Sequence, residues 1–233
     1  MLDFNNLPLR TTKEVILEQI DARDKDILDV GCGTGKTTKL LTRLGGRLIG
    51  LECGEAPLLS ARSKSKIAQE EFIEGVGQNL PFDDQSFDHI CFFFSLHHVP
   101  IPEQETALEE AHRVLRSQGS VYIFEPIAQG SSFTVMQPVD DETIVRAAAQ
   151  EAINTTKDQG LFSCLEDFKY RELYTYADFD DFKQKAIMVD AARSESLKTC
   201  ETLVQSLFHE QSVKVKEGFQ FEEAVHFIRF QKN

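Results

Sequence analysis

The 233-residue chain has no apolar run long enough to cross a bilayer; its longest, Ile90 to Phe94, is the size of a buried strand. Its amino terminus, MLDFNNLPLRTTKEV, lacks the basic-then-apolar layout of an export signal. The five cysteines, at 32, 53, 91, 164 and 200, form no Cys-x-x-Cys pair and no regular framework, which argues against a disulfide scaffold and for reduced thiols in the cytoplasm. Positive charge is also short. With 25 Lys and Arg against 38 Asp and Glu, the formal charge of −13 repels polyphosphate backbones, so a nucleic-acid partner or a membrane is not expected. The only basic footprint, Arg62, Lys64 and Lys66, alternates in a short polar stretch and reads as a solvated face. No internal repeat or low-complexity tract is present.

A phosphate-gripping loop is missing by one residue. The stretch LDVGCGTGKTTKLL, Leu28 to Leu41, contains Gly35-Lys36-Thr37, but the loop's first glycine falls at Val30, with Gly31 one position too late. A nest of backbone N–H groups around a triphosphate cannot lose a residue without changing its curvature. What remains is a glycine turn, Gly31 to Gly35, directly after the apolar run Ile27 to Val30.

The chain is long enough for one sizeable domain, and its 41% hydrophobic residues can supply a core. Strand and helix patterns alternate through the first half. Thr11 or Thr12 starts a helix through Ile20, with Thr11 and Glu14 spaced as a capping box. Strands are expected at Asp26 to Val30, Arg47 to Leu51, Glu71 to Glu74, Phe87 to Phe93 and Ser120 to Phe124. Helices run from the glycine turn to Leu44, from Ala56 to Ala68 and from Glu103 to Arg116. Such alternation predicts a parallel sheet wrapped by helices. Beyond Pro126 the pattern lapses into a loop, Gly130 to Pro138. Then comes a helix from Asp140 to Asn154 with Ile144, Ala148, Ala152 and Ile153 available for burial. A strand Tyr170 to Tyr176, a helix capped by Asp178, a further helix through Phe208 and a strand Phe221 to Phe230 follow.

Ligands of open parallel sheets bind at the carboxyl ends of the strands, and there the sequence places Glu52, about 20 positions past the glycine turn, where an acid reaches ribose hydroxyls. A dinucleotide fingerprint requires G-x-G-x-x-G, whereas here the third glycine, Gly35, follows Gly33 by two positions. With LDVGCGTG at Leu28 to Gly35, the chain resembles the class I S-adenosylmethionine-dependent methyltransferases. The likeness extends through LIGLECGEAPLLSAR, NLPFDDQSFDHICFFFSLHHV and ALEEAHRVLRSQGSVYIFEP, covering Asp26 to Pro126 in the family's order.

The resemblance implies a Rossmann-like α/β fold: a mostly parallel seven-stranded sheet with an antiparallel last strand and a helical cover. It also implies one domain over residues 1–233, with a core at 22–126 and the cover and last two strands at 127–233. It implies S-adenosyl-L-methionine as methyl donor, S-adenosyl-L-homocysteine as product, and no metal. Asp29 would hold the donor's amino group, Gly31, Cys32 and Gly33 its amino-acid portion, Glu52 its ribose and Cys53 its adenine. Phe92 and Phe93 would lie beside the methionine moiety or belong to the sheet core. One departure stands out. The family's Gly-Asp-Ala-Glu is here Gly75-Val76-Gly77-Gln78, and valine cannot accept the adenine amine, leaving Gln78 and the backbone at Gly77 and Gln78 to do so. Loss of one such bond costs about 0.5–1.5 kcal/mol.

Methyl transfer demands mainly orientation, worth about 7–11 kcal/mol, with a base only if the acceptor must lose a proton. His97 and His98 are the candidate bases, with bracing of a loop as their alternative role. Adjacent histidines point apart on most backbones, and no nearby acid has ligand spacing, which argues against a metal. Glu125-Pro126 reads as a cavity lining or a turn. Phe133, Phe162, Phe168, Tyr170, Tyr174 and Tyr176 line an acceptor pocket or form the helices' own core. Three functions stay open: a methyltransferase of a small-molecule acceptor, a protein or RNA methyltransferase, and a noncatalytic homologue that binds the donor.

Overall fold

The strand and helix alternation closes into one sheet in a computed structural model, which describes residues 4–233. Its strands are β1 (Asp26–Val30), β2 (Arg47–Glu52), β3 (Glu71–Glu74), β4 (Phe87–Phe93), β5 (Leu115–Ile127), β6 (Phe162–Tyr176), β7 (Val213–Val215) and β8 (Gly218–Lys232). They lie in the order β3-β2-β1-β4-β5-β8-β6, the seven-strand path expected, with the short β7 added antiparallel to β8. Parallel ladders join β1 to β2 and β4, β2 to β3, and β4 to β5. Strands buried on both faces need continuous apolar side chains, and Phe87, Ile90, Cys91, Phe92 and Phe93 of β4 are all buried.

The helices are α1 (Thr12–Gln19), α2 (Lys36–Arg43), α3 (Glu55–Ser63), α4 (Gln104–Val114), α5 (Ser131–Met136), α6 (Thr143–Asp158), α7 (Phe179–Val189) and α8 (Arg193–Gln211). The capping box before α1 is formed: Thr11 N–H donates to Glu14 Oε2 at 2.8 Å and Glu14 N–H to Thr11 Oγ1 at 3.2 Å. Asp178 caps α7, accepting the Asp181 N–H at 2.9 Å.

The chain packs as two compact units. One comprises Val15–Glu125, Ala148–Phe168 and His226–Asn233; the other comprises the residues up to Glu14, Pro126–Ala147 and Lys169–Val225. In the first, Leu28, Val30, Phe92, Leu108, Ile123 and Phe230 anchor a single apolar cluster on the parallel strands. In the second, Val135, Phe182, Val204, Phe208 and Phe221 form a separate core. Most of the aromatics considered for an acceptor pocket pack as core. Phe162 stacks on Phe230 at 5.4 Å, Phe168 lies 4.9 Å from Phe227, and Tyr176 meets Phe182 edge-on at 5.2 Å. Tyr170 is buried with its hydroxyl 2.7 Å from Thr12 Oγ1.

Several boundaries differ from expectation. The third helix stops at Ser63, not Ala68, because Glu70 draws the Ile67 and Ala68 N–H groups onto its carboxylate at 2.7 and 2.9 Å and so closes a local turn. The expected loop Gly130 to Pro138 contains α5. Gly130 at φ 103° reverses the chain into it, where a Cβ would meet Glu222 O at 2.4 Å. Asp141 rather than Asp140 bonds the Thr143 N–H at the start of α6 (3.0 Å), while Asp140 takes Arg193 Nε at 3.0 Å. Ile144 is 72% exposed, and Ala149 is buried in place of Ala148. β6 begins eight residues before Tyr170, at Phe162, because pairing in the sheet overrides a segment whose Glu166 and Asp167 disguise it.

Candidate functional site

The glycine turn is built by three left-handed residues, Gly31, Gly33 and Gly35, at φ 72°, 54° and 75°. It is fastened to the end of β2, because Gly31 and Cys32 both donate N–H bonds to Leu51 O, at 2.8 and 3.0 Å. The three differ in what surrounds them. A Cβ on Gly31 would lie 2.5 Å from Ser95 Cβ and one on Gly35 2.6 Å from the Phe72 ring, whereas one on Gly33 would meet nothing within 4 Å. Gly31 and Gly35 are thus demanded by packing. Gly33 alone faces open space, where a ligand can approach its backbone. Cys32 is buried among Leu58, Ala61 and Phe72, and burial raises its thiol pKa far above the ordinary range.

Glu52, the last residue of β2, aims its carboxylate at this turn. Oε2 accepts the Gly33 N–H and Oε1 the Gly54 N–H, each at 2.8 Å. Oε2 keeps a further lone pair for a hydroxyl donor, while Oε1 also accepts the weak Cys53 Sγ–H bond. Cys53 beside it is exposed, its sulfur 3.8 Å from Glu52 Oε1.

Asp29 lies at the centre of the parallel ladders, opposite Gly50 on β2 and Cys91 on β4. It is 1% exposed; Oδ2 accepts Thr38 Oγ1–H at 2.6 Å, but Oδ1 meets no donor among the described residues. Burial raises its pKa to about 7, the Thr38 bond opposes this, and the Glu52 charge adds to it. A buried carboxylate oxygen without a donor is suited to receive an ammonium group.

The loop after β3 carries the Gly75-Val76-Gly77-Gln78 departure read from the sequence. Val76 is 37% exposed and bridges to Asn79. Gly77 is buried, its missing side chain leaving room for Val30, Val99 and Ala107, and Gln78 is half-buried. Phe92 is wholly buried in the main apolar cluster, and Phe93 lies 5.1 Å from Phe124.

The two histidines are not equivalent. His97 is buried and His98 exposed, on a short turn from Leu96 to His98. Nor do they point apart: the turn brings their ring centroids to 4.0 Å. An acid is also close by. Glu125, wholly buried at the end of β5, accepts the Ser95 and Leu96 N–H groups on Oε1 at 3.0 and 2.9 Å, and its Oε2 lies 2.6 Å from His97 Nδ1. The premise that the two rings point apart therefore fails, whereas Glu125 is spent on the loop and on His97 Nδ1 itself. With the carboxylate ionised, Nδ1 carries the proton. Ser95 Oγ–H donates to Val30 O at 2.6 Å, tying this loop to β1. Glu125 is thus neither a cavity lining nor a turn acid but the internal acceptor of the loop. The loop needs such a clamp, for Phe94 sits at φ 56°, a strained conformation for a bulky residue. An acid at a strand end is the one sequence signal for this role, and Ser95 carries none.

Residues 28–123 match a family model described as a methyltransferase domain. A demethylmenaquinone methyltransferase of Staphylococcus epidermidis is 37% identical over 102 residues, 42% of each chain. The chain spans 42% of the length of the demethylmenaquinone methyltransferases it matches there and in Chlorobaculum tepidum. An uncharacterized methyltransferase of Oceanobacillus iheyensis is 26% identical over 161 residues, covering 69% of this chain and 67% of that one. Among solved structures, a candidate methyltransferase from Bacillus halodurans superposes with a TM-score of 0.65 at 18% identity, covering 95% of this chain and 99% of its own.

Proposed function

Since residues 28–123 belong to the methyltransferase-domain family, on the fold of the class I S-adenosylmethionine-dependent enzymes, we propose that this protein moves a methyl group from S-adenosylmethionine to a small-molecule acceptor. The observation that carries the reading is the Glu52 carboxylate held against Gly33, next to the one turn glycine with open space on its Cα. The donor supplies a methyl group already activated on a sulfonium. Asp29 Oδ1 would receive its ammonium, Gly31 and Gly33 would admit its amino-acid portion, and Glu52 would take the ribose hydroxyls. Cys53, Gly77 and Gln78 would border the adenine. The orphaned Asp29 oxygen fits that donor, because a cation there satisfies a buried acceptor that the protein leaves open.

A small acceptor is supported by the relatives whose name states demethylmenaquinone as their substrate, and by a charge of −13, which disfavours a nucleic-acid acceptor. The chain's part in the chemistry is to position and to exclude water. His97 is held through Nδ1 by Glu125, which braces the loop after β4 and, by placing the ring proton on Nδ1, makes Nε2 the basic nitrogen of the ring; the bond suits a brace and an oriented base alike.

A second reading, a homologue that binds the donor without catalysis, is favoured by Val76, which leaves the adenine amine without its usual acceptor. Calorimetry with S-adenosylhomocysteine, followed by radiolabelled methyl incorporation into fractionated metabolites, RNA and protein, separates the cases. Binding with label in a metabolite fraction is the expected result. Binding without label in any fraction supports the second reading, and no binding at millimolar ligand removes both.

A further inference from the structure

Arg62, Lys64 and Lys66, a solvated face by sequence, instead line a hollow of about 250 Å³ together with Glu70 and Phe72. Its cations are positioned by backbone carbonyls. Lys64 Nζ donates to Thr34 O at 2.8 Å and Arg62 Nε to Phe72 O at 3.0 Å. Lys39 Nζ, 5.9 Å from the Phe72 ring centroid, donates to Ser65 O at 3.1 Å. None of these four cations has a carboxylate within 4.0 Å among the described residues. Some cations of the chain are paired, as Arg113 is with Glu110 and Asp84 and Arg193 with Asp140 and Glu142, while others such as Lys232 bond backbone carbonyls instead. Two acids also line the hollow: Glu70, which spends both oxygens on the Ile67 and Ala68 N–H groups, and the exposed Glu71.

The donors left over define the ligand. Each lysine ammonium has three N–H donors, of which Lys64 spends one on the backbone; Arg62 keeps both terminal NH₂ groups after Nε is used, and the buried Lys39 adds charge from beside the lining. A planar guanidinium beside compact ammonium charges matches the several oxygens of a phosphate group better than the two of a carboxylate. Size follows from the surrounding field. A polyanion extending from the hollow meets the repulsion of a chain at −13, whereas a compact anion feels chiefly the charges within a Debye length, about 8–10 Å. From these positions and unpaired charges we infer that the hollow binds the phosphate group of a small phosphorylated molecule. Its lining includes neither Asp29 nor Glu52, and the inference does not depend on methyl transfer.

The test is an NMR titration of the full chain with inorganic phosphate at constant ionic strength. Saturable shifts confined to amides around residues 61–73 and 34–39 are expected. Lys66→Gln removes a cation that makes no hydrogen bond among the described residues, so the fold is undisturbed; it weakens binding about threefold, and Arg62→Gln with Lys66→Gln weakens it about tenfold or more. Lys13→Gln, exposed on α1, changes nothing. Shifts that never saturate, or an equal loss with Lys13→Gln, overturn the inference. So does a single-stranded RNA that binds the same residues and that phosphate cannot displace.

Discussion

Gly33 and Glu52, nineteen residues apart, are joined by a 2.8 Å hydrogen bond from the Gly33 N–H to Oε2. Glu52 Oε1 meanwhile accepts the Gly54 N–H, so the carboxylate is fixed by backbone on both oxygens before any ligand arrives. Preorganisation of this kind spares a ligand the cost of ordering the side chain. Glu52→Gln keeps the shape but turns an NH₂ toward one of these two N–H donors. Calorimetry with S-adenosylhomocysteine should then show affinity lower by about 10–100-fold, or about 1.4–2.7 kcal/mol. An unchanged affinity would mean that the ribose is held elsewhere.

Val76 offers the opposite experiment, a gain. It is 37% exposed, so an aspartate there needs no repacking of the core. Val76→Asp supplies the acceptor that the family places at this position, and affinity should rise by about 0.5–1.5 kcal/mol, up to roughly tenfold. If methyl incorporation is absent in both forms while the variant binds more tightly, the natural protein is a binder and not an enzyme.

Asp29 makes both stability and binding depend on pH. Burial raises its folded pKa to about 7 from an ordinary 3.8. Between those values the unfolded chain releases a proton that the folded chain keeps, so stability falls as pH rises and levels off above 7. The full loss is of the order of 4 kcal/mol. Asp29→Asn should therefore stabilise the ligand-free protein at about pH 8 by about 1–3 kcal/mol, with the gain vanishing near pH 4, as urea unfolding at several pH values would show. Donor affinity runs the other way. An ammonium partner needs the ionised carboxylate, so affinity should fall about tenfold per pH unit below 7 and be poor in the variant at any pH. A flat affinity from about pH 6 to 8 would separate Asp29 from the ammonium.

Glu125 and His97 distinguish a brace from a base. Glu125→Ala strands the Ser95 and Leu96 N–H groups and His97 Nδ1 in a fully buried place, and should cost about 3–5 kcal/mol in urea unfolding without ligand. His97→Ala should also destabilise, by about 1–3 kcal/mol, and by more than His98→Ala, whose ring is exposed. A His97 variant of unchanged stability but lost turnover would assign it the base role.

The parallel half of the sheet and the Gly33–Glu52 pair were legible because their signals are local: an apolar run, a turn of glycines, an acid at the next strand end. Glu125 was not legible, since its partners Ser95, Leu96 and His97 lie about thirty positions away and a lone acid before proline carries no pattern. For the same reason the early part of β6 was missed. Its strand state is imposed by neighbours, while Leu165 stays 43% exposed and breaks the alternation that would have marked it. The cations of the hollow were visible singly, but only the fold brings Lys39 and Thr34 to them.

Gly33 and Gly35 share left-handed backbone, at φ 54° and 75°, yet only one has a neighbour where a side chain would go. Gly33→Ala therefore pays only the left-handed penalty, about 1–2 kcal/mol, while its methyl fills the space through which a ligand reaches the turn. Gly35→Ala adds to that penalty a Cβ 2.6 Å from the Phe72 ring, bringing the cost to about 2–5 kcal/mol in urea unfolding. Calorimetry at a temperature where both variants are folded should rank them in reverse, with Gly33→Ala losing more than about tenfold in donor affinity and Gly35→Ala less. If Gly35→Ala proved the poorer binder and Gly33→Ala the less stable, the open space at Gly33 would have no part in ligand approach.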